Sequence, residues 1–422
     1  MKVPENRKAK TFPAVFYRSY SRVTPEGKRE SYPQVVERVV DGLKEIGKFT
    51  EYETKLLKEK MMGLTATSSG RSLWYAGTES SKNPDNFPGL YNCVSIDVKN
   101  WEDFCRLFYL QLLGCGVGAV LEPRNLNSLS KIENYIDLKF VGEIGDKPKS
   151  ERQDMTTVEC NPPYSINIVV GDSKEGWVEL FRQLLNLSTD CHYHCQNGFG
   201  GDHCGNVKVS VDISHIRPIG EKLKGFGGTA NPSLFKSCFE KVVKILNKAV
   251  GRKLSQLEAT LLIDEPALLV VSGGIRRSAG MRQYSSNAPL LKLDLWSQSE
   301  DSMWRIDPEK SSLRMANHTQ VYHHKPLYNE IEQSIRMQHM SGEGAIQYAP
   351  EVLARANADL LSSPELKQDF INSYERGNGK HFLLKIRPQM SEKELNHRLH
   401  RYGLNPCGQS LDFAASGSNI RC

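Results

Sequence analysis

Segments with the two-residue period of a β-strand alternate with segments that have the period of an amphipathic helix along most of this chain. Val207, Val209, Val211 and Ile213 take every second position, which predicts a strand. The apolar residues between positions 35 and 46 instead recur three and four positions apart, as on one face of a helix. No unit of roughly 20–50 residues repeats. The alternation therefore predicts the α/β class, with a parallel barrel or an open doubly wound sheet.

The same periodicities predict most of the remaining elements. The further predicted helices contain residues 56–61, 101–113, 177–185, 233–249 and 256–271, and others begin at Ser363-Pro364 and at Ser391. Asp172 and Glu175 have the spacing of a capping box for the helix over 177–185. Further strands are predicted over 165–170 and 381–386. Residues 67–79 are predicted to be rich in turns.

The composition excludes several classes of protein. With 422 residues, 39% hydrophobic and 25% charged, the chain predicts two to three globular domains or one large α/β domain. A net charge of +6 suits anionic ligands such as nucleotides but is too diffuse to indicate nucleic-acid binding. No apolar run approaches the roughly eighteen residues of a membrane span, and the basic N-terminus lacks the apolar region of an export signal. Ten cysteines in such a chain favour thiols over a disulfide framework, and hence a cytoplasmic location.

Two cysteines stand in settings that suit a reactive thiol. Cys407 lies in the turn sequence Asn405-Pro406-Cys407-Gly408, where proline prevents a helix from continuing, so the sulfur is presented at a loop. Cys93 precedes an alternating apolar pattern and is predicted to lie on a strand. An incidental or buried cysteine remains the alternative at both positions. Each of these patterns is weak evidence when it stands alone.

Three other segments carry candidate binding residues. Residues 273–279 join two glycines to Arg276 and Arg277, which suits a nucleotide-binding loop, with a solvated basic turn as the alternative. Residues 114–118 favour a glycine-rich helix end over a phosphate loop. Cys191, Cys195, His203 and Cys204 are residue types that bind zinc, although we favour a chance cluster in an inserted loop and predict no metal.

Eight segments, taken in order, resemble the large catalytic subunit of ribonucleotide reductases, and most closely the adenosylcobalamin-dependent class II enzymes. The segments are 15–22, 70–74, 91–93, 217–218 with 225–232, 273–279, 314–319, 341–347 and 405–408. The resemblance thus covers about residues 15–408. It implies the N-terminal part of a ten-stranded α/β barrel, preceded by a small helical region. The implied organisation is a basic arm at 1–15, a helical region at 16–80, a partial catalytic barrel at 81–408 and a divergent tail at 409–422.

The resemblance also implies a chemistry. A thiyl radical on Cys407 would abstract the 3′-hydrogen of a ribonucleoside triphosphate, Cys93 would be one of two reducing thiols, and Asn405 would bind the sugar. Asn92 and Gly408 would also contact the substrate. Adenosylcobalamin is the implied cofactor, and thioredoxin is the implied external dithiol. A dNTP or ATP effector would bind near a specificity loop that contains Gly273, Gly274, Arg276, Arg277 and Ser278.

Three departures from the family pattern keep other functions open. Gln409 stands where the family has a glutamate base, and Cys422 is the only downstream candidate for the second reducing thiol. Family chains also continue for several hundred residues, so we expect this chain to be truncated and inactive alone. The alternatives are a fragment of a metal-radical (class I) ribonucleoside-diphosphate reductase and a degenerate nucleotide-binding relic without catalysis.

Overall fold

The computed structural model describes residues 12–24, 26–161, 165–190, 205–221, 230–271, 279–288, 296–298 and 304–406. These residues fall into two compact units, one that extends to Asn92 and one that begins at Cys93.

The first unit is helical. Its elements are α1 (Phe12–Ser19), α2 (Tyr32–Gly47), α3 (Glu51–Met62), α4 (Gly70–Tyr75), α5 (Glu79–Lys82) and a 3-10 helix over Pro84–Leu90. One face of α2 is fully buried and packs with Phe16 and Met61, which confirms the helical period of residues 35–46. The turn-rich prediction for 67–79 missed α4, which begins because the Ser69 hydroxyl caps the Ser72 N–H.

The second unit alternates strands and helices. In chain order its elements are β1 (Cys93–Asp97), α6 (Trp101–Leu112), β2 (Gly116–Val120), α7 (Pro123–Leu126), β3 (Tyr135–Val141), β4 (Thr157–Asn161), β5 (Ser165–Val169), α8 (Lys174–Thr189), β6 (Asn206–Asp212), α9 (Phe235–Lys248), α10 (Gln256–Val271), β7 (Gly280–Ser285), β8 (Trp296–Gln298), β9 (Trp304–Ile306), β10 (Ala316–Tyr322), α11 (Tyr328–Ser341), β11 (Ala345–Tyr348), α12 (Ala349–Ala356), α13 (Pro364–Glu375), α14 (Gly379–Ile386) and α15 (Glu392–Leu399).

The described strands form three sheets. Five of them make an all-parallel sheet in the order β1-β2-β7-β10-β11. A second sheet has the order β3-β6-β5-β4 and is parallel except for the pairing of β4 with β5. The strands β8 and β9 pair antiparallel with each other. Because β2 pairs directly with β7, the whole second sheet lies in the chain between two neighbouring strands of the first. The α/β class is confirmed, and the second sheet adds a feature that sequence analysis did not predict.

Most predicted elements are present, with three corrections. The strand prediction for residues 381–386 is wrong, because α14 covers them and buries Leu383 among neighbouring helices. The predicted glycine-rich helix end is confirmed at Gly114, whose φ of +74° and N–H bond to the Gln111 carbonyl close α6, but residues 116–118 are the start of strand β2. The cap of α8 is Ser173, whose hydroxyl accepts the Gly176 N–H, so the predicted capping box was one residue out of place.

A fully buried ion pair joins the parallel sheet to the helix that covers it. Arg282 of β7 and Asp264 of α10 are both inaccessible to solvent, and Arg282 Nε lies 3.1 Å from Asp264 Oδ1. Arg282 Nη1 also donates to the carbonyl oxygens of Val117 and Met281, at 3.1 and 2.9 Å. The Asp264 carboxylate therefore compensates the buried charge of Arg282.

We expect Asp264→Ala to lower the free energy of unfolding by about 3–5 kcal/mol, because it leaves the Arg282 guanidinium buried without its carboxylate. Replacing both residues by apolar ones, as in Asp264→Leu with Arg282→Met, is expected to cost far less. Thermal and denaturant unfolding of the purified variants measure both effects. An Asp264→Ala variant as stable as the parent would contradict this account of the pair.

Candidate functional site

Residues 402–406 cross one face of the five-stranded parallel sheet as an irregular segment. The Tyr402 carbonyl oxygen accepts hydrogen bonds from the side-chain amides of Gln283 and Gln347, at 3.0 and 2.8 Å. The Leu404 N–H donates to Gln283 Oε1 at 2.7 Å, and Gln283 Nε2 donates to Gln347 Oε1 at 2.6 Å. Two buried glutamines on β7 and β11 thus satisfy the main chain of the segment where it passes over the sheet.

The segment reaches Cys93 at the amino ends of the strands. A Cβ added to Gly116, the first residue of β2, would lie 2.8 Å from Pro406 Cγ and 3.2 Å from Cys93 Sγ. The sulfur of Cys93 and the ring of Pro406 therefore adjoin the same small space. Asn317, near the start of β10, donates from Nδ2 to the Pro406 carbonyl oxygen at 2.8 Å. Pro406 is the residue immediately before the predicted radical cysteine.

Glycine on β2 makes the close approach of the segment possible. A Cβ on Gly118 would overlap the carbonyl oxygen of Leu404 and would lie 3.0 Å from Ser95 Oγ. Any side chain at position 118 would therefore push residue 404 away from the sheet. Gly116 and Gly118, which sequence analysis assigned to a helix end, instead lie on β2 against Pro406 and Leu404.

Tyr402 is anchored by charged side chains at the carboxyl ends of the strands. Its hydroxyl is hydrogen-bonded to Glu122, which follows β2, and accepts from Nη2 and Nε of Arg124 at 2.6 and 3.1 Å. The other Glu122 oxygen lies 2.7 Å from Nε2 of His323, which follows β10. Tyr402 and Glu122 are buried. The segment thus runs from an ionic cluster at one edge of the sheet to Cys93 at the other.

Asp97, the last residue of β1, extends this cluster. Arg124 Nη2 lies 2.9 Å from Asp97 Oδ1, Lys99 Nζ lies 2.7 Å from Oδ2, and the Asn125 amide also contacts the carboxylate. Burial opposes ionisation of Asp97, but the charges of Arg124 and Lys99 outweigh it and lower its pKa to about 2. Asp97 is therefore a carboxylate at neutral pH and holds Arg124 in place beside Tyr402.

The same cluster shifts the acidities of Tyr402 and Glu122 in opposite directions. Burial and the neighbouring Glu122 charge raise the pKa of Tyr402 well above its usual value, so its hydroxyl keeps its proton. Burial opposes ionisation of Glu122, but hydrogen bonds and charge from His323, with Tyr402 and Arg124 adding to them, lower its pKa. A neutral phenol thus donates to a carboxylate, which is a charge-assisted hydrogen bond.

The structure places three of the predicted site residues. Cys93 is half-buried at the start of strand β1, as its sequence pattern predicted. Asn405 is buried directly before Pro406, in the unit that contains Cys93. Asn92, in the first unit, accepts from Arg71 Nε at 3.4 Å. The structure therefore brings Cys93 to the segment that leads into the cysteine turn.

The remaining candidates lie outside the described residues. They are Cys407, Gly408, Cys422, the loop residues Gly273, Gly274, Arg276, Arg277 and Ser278, and the cluster Cys191, Cys195, His203 and Cys204. Cys160 of β4 is disulfide-bonded, which departs from the expectation that the cysteines are thiols.

Sequence analysis missed the residues that hold the segment. Gln283, Gln347, Glu122, Arg124 and Tyr402 were not among the candidates. The available signal was the position of Gln283 inside a short strand, where a polar side chain that is buried needs a partner. The partners themselves are distant in sequence: 121 residues separate Gln283 from Leu404.

Two protein-family models match the chain. The B12-dependent ribonucleotide reductase insertion domain matches residues 143–246, and the ribonucleotide reductase alpha domain matches residues 9–78. The first match covers β4, β5, β6, α8 and most of α9, so the second sheet belongs largely to this insertion domain. The second match covers α1 to α4 of the helical unit.

Curated relatives carry consistent names. The adenosylcobalamin-dependent ribonucleoside-triphosphate reductase of Lactobacillus helveticus (strain DPC 4571) is 30% identical over 64% of this chain and 41% of that protein. The enzyme of the same name from Lactobacillus acidophilus (strain ATCC 700396 / NCK56 / N2 / NCFM) is 28% identical over 74% of this chain and 43% of that protein. The relative from Lactobacillus leichmannii is 29% identical over 63% of this chain and 39% of its own length. The chain spans about two fifths of the length of these relatives.

A solved structure shares the fold. The crystal structure of a B-12 dependent (class II) ribonucleotide reductase matches with a TM-score of 0.57 and 23% identity, over 77% of this chain and 47% of that one. Within the described part of the chain, no helix has the length and apolar character needed to cross a membrane. The two domain matches and the named relatives confirm the resemblance to adenosylcobalamin-dependent ribonucleotide reductases that was drawn from eight sequence segments.

We expect Gly118→Ala to destabilise the second unit by about 1–3 kcal/mol, because the new methyl group forces residue 404 off the sheet. The matched control is Gly205→Ala, since a Cβ at Gly205 meets no atom within 4 Å. Thermal unfolding of both variants measures the difference. Equal melting temperatures for the two would show that the segment does not pass over Gly118.

We expect the stabilisation from Asp97 to be present above about pH 4 and to be lost as the pH falls toward 2, because its pKa is lower in the folded protein than in the unfolded chain. Asp97→Asn should lower stability by about 2 kcal/mol at pH 7, and its deficit relative to the parent should shrink through that acid range. Unfolding measured between pH 2 and pH 7 tests this, with Asp369→Asn as a control for the same charge change at an exposed site. A deficit that is constant with pH would contradict it.

Proposed function

We propose that this chain supplies the radical-cysteine part of a reductase that converts ribonucleoside triphosphates to 2′-deoxyribonucleoside triphosphates for DNA synthesis. The observation that supports this most directly is the contact region of Pro406 and Cys93 around Gly116, since it brings the start of the cysteine turn to a second thiol. The names of the relatives support the triphosphate as substrate.

In the proposed reaction the protein contributes thiols and position. Cys407, as a thiyl radical, takes the 3′-hydrogen of the ribose and later returns it. Cys93 and a second thiol, for which Cys422 is the candidate, provide two electrons and two protons, so that the 2′-hydroxyl leaves as water and the two thiols become a disulfide. Thioredoxin or another dithiol reduces that disulfide by exchange. Asn405, Asn92 and Gly408 are proposed to contact the substrate.

Adenosylcobalamin, when bound, supplies the radical that a protein thiol cannot generate alone. The half-buried position of Cys93, at the amino ends of the strands, fits a site that a cofactor and a substrate approach from that edge of the sheet.

We also propose a dNTP or ATP effector at the loop that contains Gly273, Gly274, Arg276, Arg277 and Ser278, and a cytoplasmic location. The proposed domain boundaries remain 1–15, 16–80, 81–408 and 409–422.

The function is tested with two proteins, because the chain spans about two fifths of the length of its relatives. One is the chain as it is. The other is a chimera in which residues 1–408 are continued by the downstream portion of the Lactobacillus leichmannii relative. Both are assayed for conversion of CTP to dCTP with adenosylcobalamin, an effector dNTP and a dithiol, and Cys407→Ser in the chimera is the control.

We expect the chimera to form dCTP, the chain alone to form none, and Cys407→Ser to abolish the activity by removing the thiol that carries the radical. Turnover of CDP with a metal-radical subunit, without adenosylcobalamin, would instead favour a class I diphosphate reductase. Nucleotide binding without any product in the chimera would favour the degenerate relic, for which Gln409 is the sequence argument.

A further inference from the structure

The segment that leads into the cysteine turn is fixed at two places by residues to which the proposed chemistry gives no role. The first place is its main chain at Tyr402 and Leu404, over the middle of the sheet. The second is the Tyr402 side chain, at the carboxyl ends of the strands. Both lie upstream of the turn, and between them they set the direction in which the chain approaches Cys93.

Glutamine suits the first place because an amide has both a donor and an acceptor. Gln283 accepts the Leu404 N–H at 2.7 Å and donates to the Tyr402 carbonyl at 3.0 Å, while Gln347 donates to the same carbonyl at 2.8 Å. Both glutamines are buried. If the segment moved away, these amides would be left without their partners inside the protein, which costs about 1–3 kcal/mol for each unsatisfied group.

The second place uses charge. The Tyr402 hydroxyl lies between the Glu122 carboxylate and the Arg124 guanidinium, and Arg124 is itself held by Asp97. Hydrogen bonds to charged groups in a buried setting are stronger and more directional than neutral ones. The phenol ring also lies under the Arg124 guanidinium, 5.5 Å from its carbon to the ring centroid. Tyr402 therefore has little freedom to shift along the sheet.

Pro406 lies four positions after this anchor. The Asn317 amide holds the Pro406 carbonyl at 2.8 Å, and the ring of Pro406 adjoins the space beside Cys93 Sγ. Between the two ends, Leu404 passes over Gly118 without room for a side chain beneath it. The described part of the segment is thus held at Tyr402, at Leu404 and at Pro406.

We propose that Tyr402, Gln283 and Gln347 are positioning residues that hold the cysteine turn within reach of Cys93. This inference rests on the proposed function, because it assigns these residues a purpose only if Cys93 and Cys407 act on one substrate. Tyr402 acts through the segment and touches none of the reacting atoms.

The test is chemical bridging of Cys93 and Cys407 in the full 422-residue chain with dibromobimane, a short reagent that joins two thiols. Mass spectrometry of peptides identifies the bridge, and Cys93→Ser and Cys407→Ser establish its specificity. The bridging rate is divided by the rate at which iodoacetamide alkylates Cys93 alone. This ratio reports the relative position of the two thiols, whereas general loosening of the fold changes both rates.

The variants are Tyr402→Phe, which removes one hydroxyl, and Gln347→Met, which removes the amide at similar volume. The matched control is Tyr284→Phe, because Tyr284 is also buried on the sheet but its hydroxyl contacts Thr260 of α10. We expect both variants to lower the ratio about tenfold and the control to leave it unchanged. Melting temperatures identify any variant that fails to fold, in which case the other one decides.

The outcomes separate this inference from the proposed function. If the parent forms the bridge and the folded variants form it with the same ratio, the positioning role is wrong while the pairing of the two cysteines stands. If the parent forms no bridge, the pairing of Cys93 with Cys407 is wrong, and the positioning role falls with it.

Discussion

The structure of the candidate site depends on one constraint: an irregular segment must cross a buried sheet face without leaving its backbone polar groups unpaired. Peptide groups that neither a helix nor a strand ladder satisfies are costly in such a place. Here Gln283 and Gln347 provide the missing partners, and Gly118 provides the space. The two requirements are linked, because the side-chain amides reach the segment only if it lies close to the sheet.

The ionic cluster at the carboxyl ends of the strands solves a related problem. A tyrosine hydroxyl buried beneath a crossing segment needs a partner, and Glu122 and Arg124 supply both an acceptor and a donor. Those charges are themselves buried or half-buried: Asp97 forms an ion pair with Arg124, and His323 Nε2 contacts the Glu122 carboxylate. The cluster therefore joins the ends of β1, β2 and β10 to the segment. Like the Arg282–Asp264 pair, the cluster lets charged side chains lie inside the unit because each of them has a partner there.

Local patterns in the sequence predicted local structure well. Cys93 was placed on a strand because an alternating apolar pattern follows it, and the structure agrees. Residues 381–386 were assigned to a strand because a short apolar run fits a strand and a buried helix equally well. Packing against neighbouring helices decides between the two, and here it gives a helix.

Strand β2 was missed because glycine is unfavourable in strands. Gly116 and Gly118 are explained by Pro406 and Leu404, which lie far away in the sequence. A polar residue in a short strand, such as Gln283, signals that a partner is needed, but the identity of a partner so distant in sequence has no local signal.

The second sheet is inserted in the chain between two neighbouring strands that carry the site. Strands β2 and β7 are adjacent in the parallel sheet, with Val117 opposite Gly280, although the second sheet lies between them in sequence. The entropic cost of closing a longer connection grows only slowly with its length, and a folded insertion whose ends lie close together adds less still. The residues that face the segment, Gly116 and Gly118 on one strand and Gln283 on the other, lie on the two sides of that insertion. The register between β2 and β7 is therefore what aligns the glycine space with the glutamine partner. A change at the ends of the insertion would reach the cysteine segment through this pair of strands.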